Sequence, residues 1–418
     1  MDMWRRLLLA LVCGVAVAGV YAAQPVLEPM GRDLGVPAGL AGWIVATGQV
    51  GYLAGLLLLV PLGDVVDRRR LIAVHLSVTA VGLILTASAT ESTAWVAFVG
   101  LAVTGMFAVV VQIAVAHAAS VSPPAERGRT IGVVTSGVVV GILGARVVAG
   151  TLAQAWGWRS VYAVLAVLSL GLAALVLVAL PSRERPAVRS GYGQALVSLG
   201  GMFRQRLVLT RGLIAFFLFA SFGTLWSGLS LPLAGTPWRL GESQIGLFGI
   251  AGLAGALGAA RAGRWADAGR AAPVTGLALS LLVLSWAAIA QLPGSLWLLA
   301  IGIVLLDLAV QAVHVSNQHL LTTAHPDRTS SAVGSYMVFY SLGSALGAAT
   351  TTAVFAAHGW VGCSLLGAGF AACASAVWAA DRALSRGGPA PRVDSGEALQ
   401  KERAALARRP SLRSDACR

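Results

Sequence analysis

The chain has very few charged residues for its length. Of 418 residues, 11% are Asp, Glu, Lys or Arg, whereas 57% are hydrophobic. An ordinary soluble domain has about 25% charged residues, so this chain has too little polar surface to fold in water. The composition excludes a soluble globule and predicts a protein for which lipid is most of the solvent.

Lysine is almost absent, and Lys401 is the only one in the chain. A P-loop ATPase needs a lysine in a glycine-rich turn, and Lys401 stands between Gln400 and Glu402 instead. Transport by this chain would therefore be driven by a gradient and not by a P-loop. The excess of arginine over lysine also indicates a GC-rich bacterial genome.

The motifs of common enzymes are missing. The four cysteines have no metal-type spacing, and the chain has neither an HExxH motif, nor a Gly-x-Ser-x-Gly elbow, nor clustered carboxylates. We therefore predict that the protein is not an enzyme and that it uses no metal or other cofactor.

Twelve apolar stretches are each about 20 residues long, the length of helix that crosses roughly 30 Å of hydrocarbon. They lie near 7–27, 40–62, 71–90, 94–118, 130–153 and 159–181, and again near 211–234, 242–262, 273–292, 295–320, 329–356 and 360–381. A cleaved secretory signal is an alternative for the first stretch, but eleven further spans favour an uncleaved helix.

These stretches predict an all-α membrane protein with about 12 transmembrane helices in two pseudo-symmetric six-helix bundles. We expect the bundles to cover residues 1–181 and 211–381. Between them, 182–210 would form a basic cytoplasmic linker, and 382–418 would form a disordered cytoplasmic tail.

Arginines are concentrated on one side of the predicted membrane. If the N-terminus is cytoplasmic, the only loop arginines that fall outside are Arg32, Arg159 and Arg239. This asymmetry predicts a multi-pass protein of the bacterial cytoplasmic (inner) membrane with both termini cytoplasmic. It also explains most of the net charge of +13, so the basic balance indicates anionic lipid at the basic loops and gives no reason to expect nucleic acid.

Only two charged residues lie deep inside predicted spans, Asp307 in the tenth and Arg146 in the fifth. A charge at the bilayer centre costs about 2.5 to 3.5 kcal/mol on insertion scales, so both should face a wet cavity or a partner. Asp307 is a candidate proton or substrate site, and a structural ion-pair or hydrogen-bond partner is the alternative. If the two residues are paired, protonation of the carboxylate would break the pair.

Helical spacing places further polar residues near Asp307. Gln311, His314 and Gln318 follow it at i+4, i+7 and i+11, on one helix face. His314 is a candidate proton relay because the unperturbed pKa of histidine is near 6.5. The alternative is a histidine whose hydrogen bonds are satisfied and whose role is structural.

Three other spans contribute candidate pathway residues. Tyr21, Gln24 and Glu28 have helical spacing in the first span, and Gln112 is the strongest polar group of the fourth. We expect Gln24, Glu28 and Gln112 to line the pathway. The seventh span has an aromatic run that ends in Trp226 and either lines a pocket or faces lipid.

A charged loop occurs at the same place in each half. Residues 63–70 read Gly-Asp-Val-Val-Asp-Arg-Arg-Arg, and residues 263–270 read Gly-Arg-Trp-Ala-Asp-Ala-Gly-Arg. Both copies keep a glycine, an aspartate four residues later and a closing arginine. The repeat supports two related halves. A tight loop whose arginines only follow the charge bias is the alternative interpretation.

The loops and the layout resemble the major facilitator superfamily. Two more segments, Tyr21-Ala22-Ala23-Gln24-Pro25 and Gly157-Trp158-Arg159, are similar to those of bacterial drug and metabolite proton antiporters. The resemblance implies that Asp67 and Arg68 lock the halves together in one state, with Asp67 contacting the start of helix eleven. The predicted gating loops thus contain Gly63, Asp67, Arg68, Gly263, Asp267 and Arg270.

The chain departs from the antiporter pattern in helix four, which usually carries a buried arginine. Residues 95–111 are uncharged here, and Arg146 of helix five could supply the missing positive charge. The resemblance also places helices two with eleven and five with eight at the interface between halves. We expect a rocking seam at eight glycines, with plain close packing as the alternative: Gly51, Gly55, Gly137, Gly141, Gly252, Gly255, Gly343 and Gly347.

The favoured function is secondary active transport, with proton-coupled efflux of a small organic compound or drug by alternating access. The alternative is a transporter-like membrane sensor or scaffold that no longer transports and acts through its linker and tail. Export is implied by the resemblance alone, and the sequence does not identify the substrate. It does not define an oligomeric state either, and we take a monomer as the expectation.

Overall fold

The computed structural model describes residues 1–64, 66–123, 126–181, 193, 200–258, 271–325 and 329–386. Every regular element in these ranges is a helix. Residues Met1–Trp378 form one compact unit, and Ala379–Arg418 form a second, of which the structure describes only the helical residues up to Arg386.

In the described part of the first half there are eight α-helices: α1 Met3–Tyr21, α2 Leu27–Asp33, α3 Gly42–Leu58, α4 Arg68–Ser88, α5 Ala94–Phe107, α6 Val110–Val121, α7 Arg127–Trp156 and α8 Trp158–Ala179. Among the described residues of the second half there are six: α9 Arg206–Gly228, α10 Ser230–Ala234, α11 Glu242–Gly258, α12 Ala271–Ile289, α13 Leu296–Ala324 and α14 Thr329–Arg386. We call the membrane face at which α1 begins the terminal face, and the opposite face the distal face.

The predicted number of spans is confirmed. Nine helices among the described residues are long and apolar enough to cross a membrane, and one of these, Ser331–Leu384, is long enough for two spans. The shorter helices α11 and α12 complete the twelve. The last two spans are joined at Gly359, whose φ of 60° lies in the left-handed region that favours glycine.

The first span ends earlier than predicted. Helix α1 ends at Tyr21, a non-helical turn covers 22–26, and α2 begins only at Leu27. Pro25 lacks the N–H that a continuous helix would need there. The expected i, i+3 and i+7 face of Tyr21, Gln24 and Glu28 is therefore wrong. The seventh span differs at its start, because α9 begins at Arg206 rather than near 211.

Asp33 joins three loops of the first half at the distal face. Its carboxylate accepts hydrogen bonds of 3.0 Å from Nε1 of Trp158 and 2.9 Å from a guanidinium nitrogen of Arg159. Arg159 also donates to the carbonyl oxygen of Ala89 at 2.9 Å. The Gly157-Trp158-Arg159 segment singled out in the sequence thus fixes the turn between α7 and α8 to the rest of its half.

We expect the Asp33 contacts to give the protein a small acid-dependent stability. The pKa of Asp33 is held below its ordinary value. The main cause is the hydrogen bond from Trp158, and the hydrogen bond and positive charge of Arg159 add to it. The contacts therefore stabilise the folded protein fully when the pH is above the ordinary pKa of aspartate, near 3.9. This stabilisation is lost as the pH falls through the lowered pKa of Asp33 in the folded protein. Asp33→Asn should remove it, at a cost of about 1 kcal/mol or less because the carboxylate is half exposed. Thermal unfolding in lipid nanodiscs at pH 5 and pH 3 measures this, and an equal acid sensitivity of both proteins would contradict it.

Candidate substrate and proton site

Arg146 lies on α7 and is completely enclosed by protein. Two nitrogens of its side chain, Nε and Nη2, donate hydrogen bonds of 3.0 and 2.8 Å to Oε1 of Gln24. Nη1 donates to the carbonyl oxygen of Ile142 at 3.0 Å. The break between α1 and α2 places Gln24 here, so the structure brings together two of the predicted site residues.

The guanidinium of Arg146 also lies over aromatic rings. Its Cζ is 3.7 Å from the ring centroid of Trp226, 5.7 Å from that of Phe222 and 5.8 Å from that of Tyr21. A cation over an aromatic face is stabilised by about 2 kcal/mol when it is shielded from water. Two rings of the predicted aromatic run in α9 thus line the site, and that interpretation is favoured over lipid-facing aromatics at these two positions.

Asp307 lies on α13 and has no solvent exposure. Neither of its carboxylate oxygens accepts a hydrogen bond from any described residue. A hydrogen bond between Arg146 and Asp307, which the sequence left open, is therefore not formed in this conformation. A buried charged carboxylate without a partner is costly, so the arrangement calls for a proton or a bound cation at Asp307.

Trp226 lies close to both charged side chains. A methyl group placed on Gly252 would lie 2.8 Å from Cζ2 of Trp226 and 3.0 Å from Oδ2 of Asp307, so the ring edge and the carboxylate meet at this glycine. The opposite charge, Arg146, lies over the face of the same ring. The tryptophan, and not a direct bond, connects the pair.

His314 lies nearer the terminal face on the same helix as Asp307. Its Nδ1 is 3.0 Å from the hydroxyl of Tyr336, and its Nε2 is 3.1 Å from Nε2 of Gln318. Since an amide nitrogen only donates, Nε2 of His314 accepts and its Nδ1–H donates to Tyr336. Gln318 and His314 thus share a face, as predicted, and His314 has a partner at each nitrogen. Its role as a proton relay stays a prediction.

The remaining pathway candidates are dispersed. Gln112 donates a long hydrogen bond of 3.4 Å to the hydroxyl of Tyr52 within the first half. Gln311 lies half-buried one turn after Asp307. Glu28 is paired with Arg32 on α2 at 2.6 Å near the distal surface. The structure therefore does not place Glu28 beside Arg146, because the helix break turns it away.

The first gating loop is fixed to its own half. Asp67 caps α4 by accepting a hydrogen bond of 2.9 Å from the backbone N–H of Arg70. Arg68 donates to the carbonyl oxygens of Gly63 at 2.9 Å and Ala116 at 3.4 Å. The second loop, with Gly263, Asp267 and Arg270, lies outside the described residues. The gating role of both loops stays a prediction.

Most of the predicted seam glycines pack inside one half. Methyl groups placed on Gly51 and Gly55 would collide with α5, and those on Gly137 and Gly141 with α1. In the second half, Gly255 packs on α13, and Gly343 and Gly347 pack on α9. The seam assignment of these seven glycines is wrong, because close spacing of small residues does not identify the facing helix. Gly252 alone also reaches the other half, at Leu143.

Other small residues form the seam between the halves. Methyl groups placed on Gly246 and Gly249 of α11 would lie 2.5 Å from the carbonyl oxygen of Arg146 and 2.6 Å from that of Leu143. One on Gly150 of α7 would lie 2.2 Å from the carbonyl oxygen of Glu242. The two helices thus touch by backbone atoms, with no side chain between them.

The seam is closed toward the distal face. On the distal side Thr352 bridges two backbone groups of the other half, accepting from the N–H of Gly42 and donating to the carbonyl of Gly39, both at 3.0 Å. The space between Arg146 and this face is a cavity of about 10 Å³, room for about one water. The site is therefore shut from the distal side.

A second, larger cavity carries no comparable chemistry. It is an apolar groove of about 500 Å³ between α1, α7 and α8, and Leu11, Val148 and Leu168 are exposed along it. Such a groove on the outside of a membrane bundle suits lipid acyl chains and offers no charged partner.

A sequence profile decides the family. The profile described as Major Facilitator Superfamily matches residues 9–348 and 212–415, which together cover nearly the whole chain. The chain belongs to the Major Facilitator Superfamily. The twelve helices in two halves are the fold of this superfamily, so the predicted fold and the predicted family are both confirmed. The chain is a multi-pass membrane transporter.

Individual Major Facilitator Superfamily proteins are similar over most of the chain. The uncharacterized transporter YgaY of Escherichia coli O157:H7 is 41% identical over 372 residues, which are 89% of this chain and 94% of YgaY. The chloramphenicol resistance protein of Streptomyces lividans is 30% identical over 297 residues, 68% of this chain and 72% of that protein. Among solved structures, a bacterial homolog of the human lysosomal transporter Spinster, inward-facing and unoccupied, has a TM-score of 0.73 at 16% identity. The likeness covers 93% of this chain and 98% of that one and shows the fold.

Proposed function

We propose that this transporter exports a small organic compound in exchange for protons, and that Asp307 carries the proton. The observation that carries the proposal is a buried carboxylate with two unbonded oxygens, located between the halves of an alternating-access fold. Such a group exchanges protons only when a conformational change exposes it, which ties protonation to transport.

Two further observations support export. The relative from Streptomyces lividans is named for chloramphenicol resistance, and removal of a drug from the cell gives resistance. The arginine bias supports a bacterial inner membrane with the terminal face in the cytoplasm and anionic lipid at the basic loops. In that orientation the closed distal side lies outside the cell, as expected of a transporter that accepts its compound from the cytoplasm.

The proposal is tested in proteoliposomes under an imposed pH gradient, with a panel of amphipathic compounds that includes chloramphenicol. The wild type should release protons when a compound is added. Asp307→Asn, which keeps the size of the side chain, should lose this flux, whereas Glu91→Gln in an exposed distal loop should keep it.

Each other result has a definite meaning. Flux that survives Asp307→Asn, in protein that unfolds at the wild-type temperature, would overturn the role of Asp307. Compound movement without proton movement in the wild type would overturn proton coupling. If no compound moves in any variant, the non-transporting sensor becomes the better account.

A further inference from the structure

Trp226 has an unusual electrostatic position. Its ring is 3% exposed, with the guanidinium of Arg146 over its face and a carboxylate oxygen of Asp307 at its edge. Its indole N–H donates no hydrogen bond within the described part of the chain. The side chain is therefore held by packing and by the two charges alone.

The ring suits both neighbours at once. An aromatic ring carries negative charge on its faces and positive charge at its edge. A cation therefore prefers the face, where Arg146 lies, and an anion prefers the edge, where Asp307 lies. Arg146 meets the ring at 3.7 Å from its centroid, close enough to exclude any atom between them.

The three residues belong to different halves. Arg146 is on α7 of the first half, whereas Trp226 on α9 and Asp307 on α13 are in the second. Any movement that separates the halves on the distal side takes Arg146 off the ring, while Trp226 and Asp307 stay together. The contact between Arg146 and Trp226 is thus available only to the distal-closed conformation.

We propose that Trp226 is the positioning residue of this transporter: its ring keeps Arg146 and Asp307 from bonding directly, and its face holds Arg146 only while the distal side is closed. The carboxylate then stays available for a ligand instead of being consumed by a permanent ion pair. The identification of this ligand as a proton rests on the proposed function. The stabilisation of the distal-closed state by Trp226 is independent of it.

Gly252 makes this arrangement possible. Any side chain at this position would lie within 3.1 Å of Trp226, Asp307 and Leu143 together. The absence of a Cβ lets the ring edge and the carboxylate approach the same point. The glycine is explained by this site and not by close packing of two helices alone.

The effect on the closed state can be measured without any substrate. Spin labels at Ser92→Cys and Gln291→Cys, in exposed turns at the distal face of each half, report the distal distance in a background lacking native cysteines. Trp226→Leu keeps apolar bulk but loses the ring face. It should shift the closed-to-open ratio about 30-fold toward open, the change expected for loss of a shielded cation over a ring.

A graded series separates the ring face from simple packing. Trp226→Phe keeps a weaker face and should fall between wild type and Trp226→Leu. Phe222→Leu, which removes a ring 5.7 Å from the same guanidinium, should shift the ratio less. In an Arg146→Gln background the differences between Trp, Phe and Leu at position 226 should vanish.

The proposal and the proposed function fail separately. Unchanged distances in Trp226→Leu, or an equal shift in the Arg146→Gln background, would overturn the role of Trp226 even if Asp307→Asn abolishes proton flux. Conversely, a graded shift with proton flux intact in Asp307→Asn would support the positioning role and overturn the proton site. A Trp226→Leu protein that does not fold is replaced by Trp226→Phe, for which an unchanged ratio overturns the proposal.

Discussion

Gly246→Val should prevent closure of the distal side and reduce transport at least tenfold. The added side chain would begin 2.5 Å from the carbonyl oxygen of Arg146, and a backbone oxygen within a helix cannot rotate away. Overpacking costs about 1 to 3 kcal/mol in a well-packed core. Because this cost falls only on the conformation in which α7 and α11 touch, it displaces the equilibrium toward the open one.

The matched control for this variant is Gly171→Val. Gly171 lies within another apolar membrane helix, α8, and a methyl group placed on it would meet no described neighbour within 4 Å. The Gly-to-Val change in helix propensity is the same at both positions. The distal spin-label distance and the transport rate should both stay at wild-type values in the control. A Gly246→Val protein with wild-type distances would show that the seam is not closed by this contact.

Arg146→Lys should reduce transport about 10- to 100-fold although the positive charge is kept. An ammonium group cannot donate to Gln24 from two fixed nitrogens, reach the carbonyl of Ile142 and lie flat on Trp226 at once. Hydrogen bonds that involve a charged group are worth about 1.5 to 3 kcal/mol each. The loss should therefore come from geometry and not from charge.

Arg129→Lys is the matched control, since Arg129 lies exposed at the terminal end of the same helix. Its transport rate should equal that of the wild type. If Arg146→Lys transports as fast as the wild type, then Arg146 is only a counter-charge, and its contacts with Gln24 and Trp226 are incidental.

Charge and length made the large features of this protein predictable. The twelve spans follow from apolar runs about 20 residues long, and Asp307 and Arg146 stand out because charges are rare inside them. The structure places Arg146 over the face of one tryptophan ring and Asp307 near the edge of the same ring. Sequence spacing could not show this, because it relates residues within a helix and says nothing about which helix lies opposite.

The wrong predictions also arise because sequence spacing describes one helix at a time. Helical spacing suggested a continuous face from Tyr21 to Glu28, and the only warning was Pro25, since the residue before a proline is often a helix boundary. Glycine spacing likewise identified surfaces suited to close approach, but Gly51 and Gly137 use them within the first half. Gly246 and Gly249, which form the actual seam, have the same local signature and could not be singled out.

Because two helices are interrupted near the distal face, the closed distal side consists of two layers of very different size. On the distal side of Arg146 lie α2, of seven residues, and α10, of five, which contact each other. The seam beneath them involves whole halves of the molecule. A short segment can fluctuate much faster than a half can rotate, so the outer layer can admit a water or an ion while the seam stays closed. We therefore expect water to exchange at this outer layer faster than the transporter turns over, because turnover needs the slower seam.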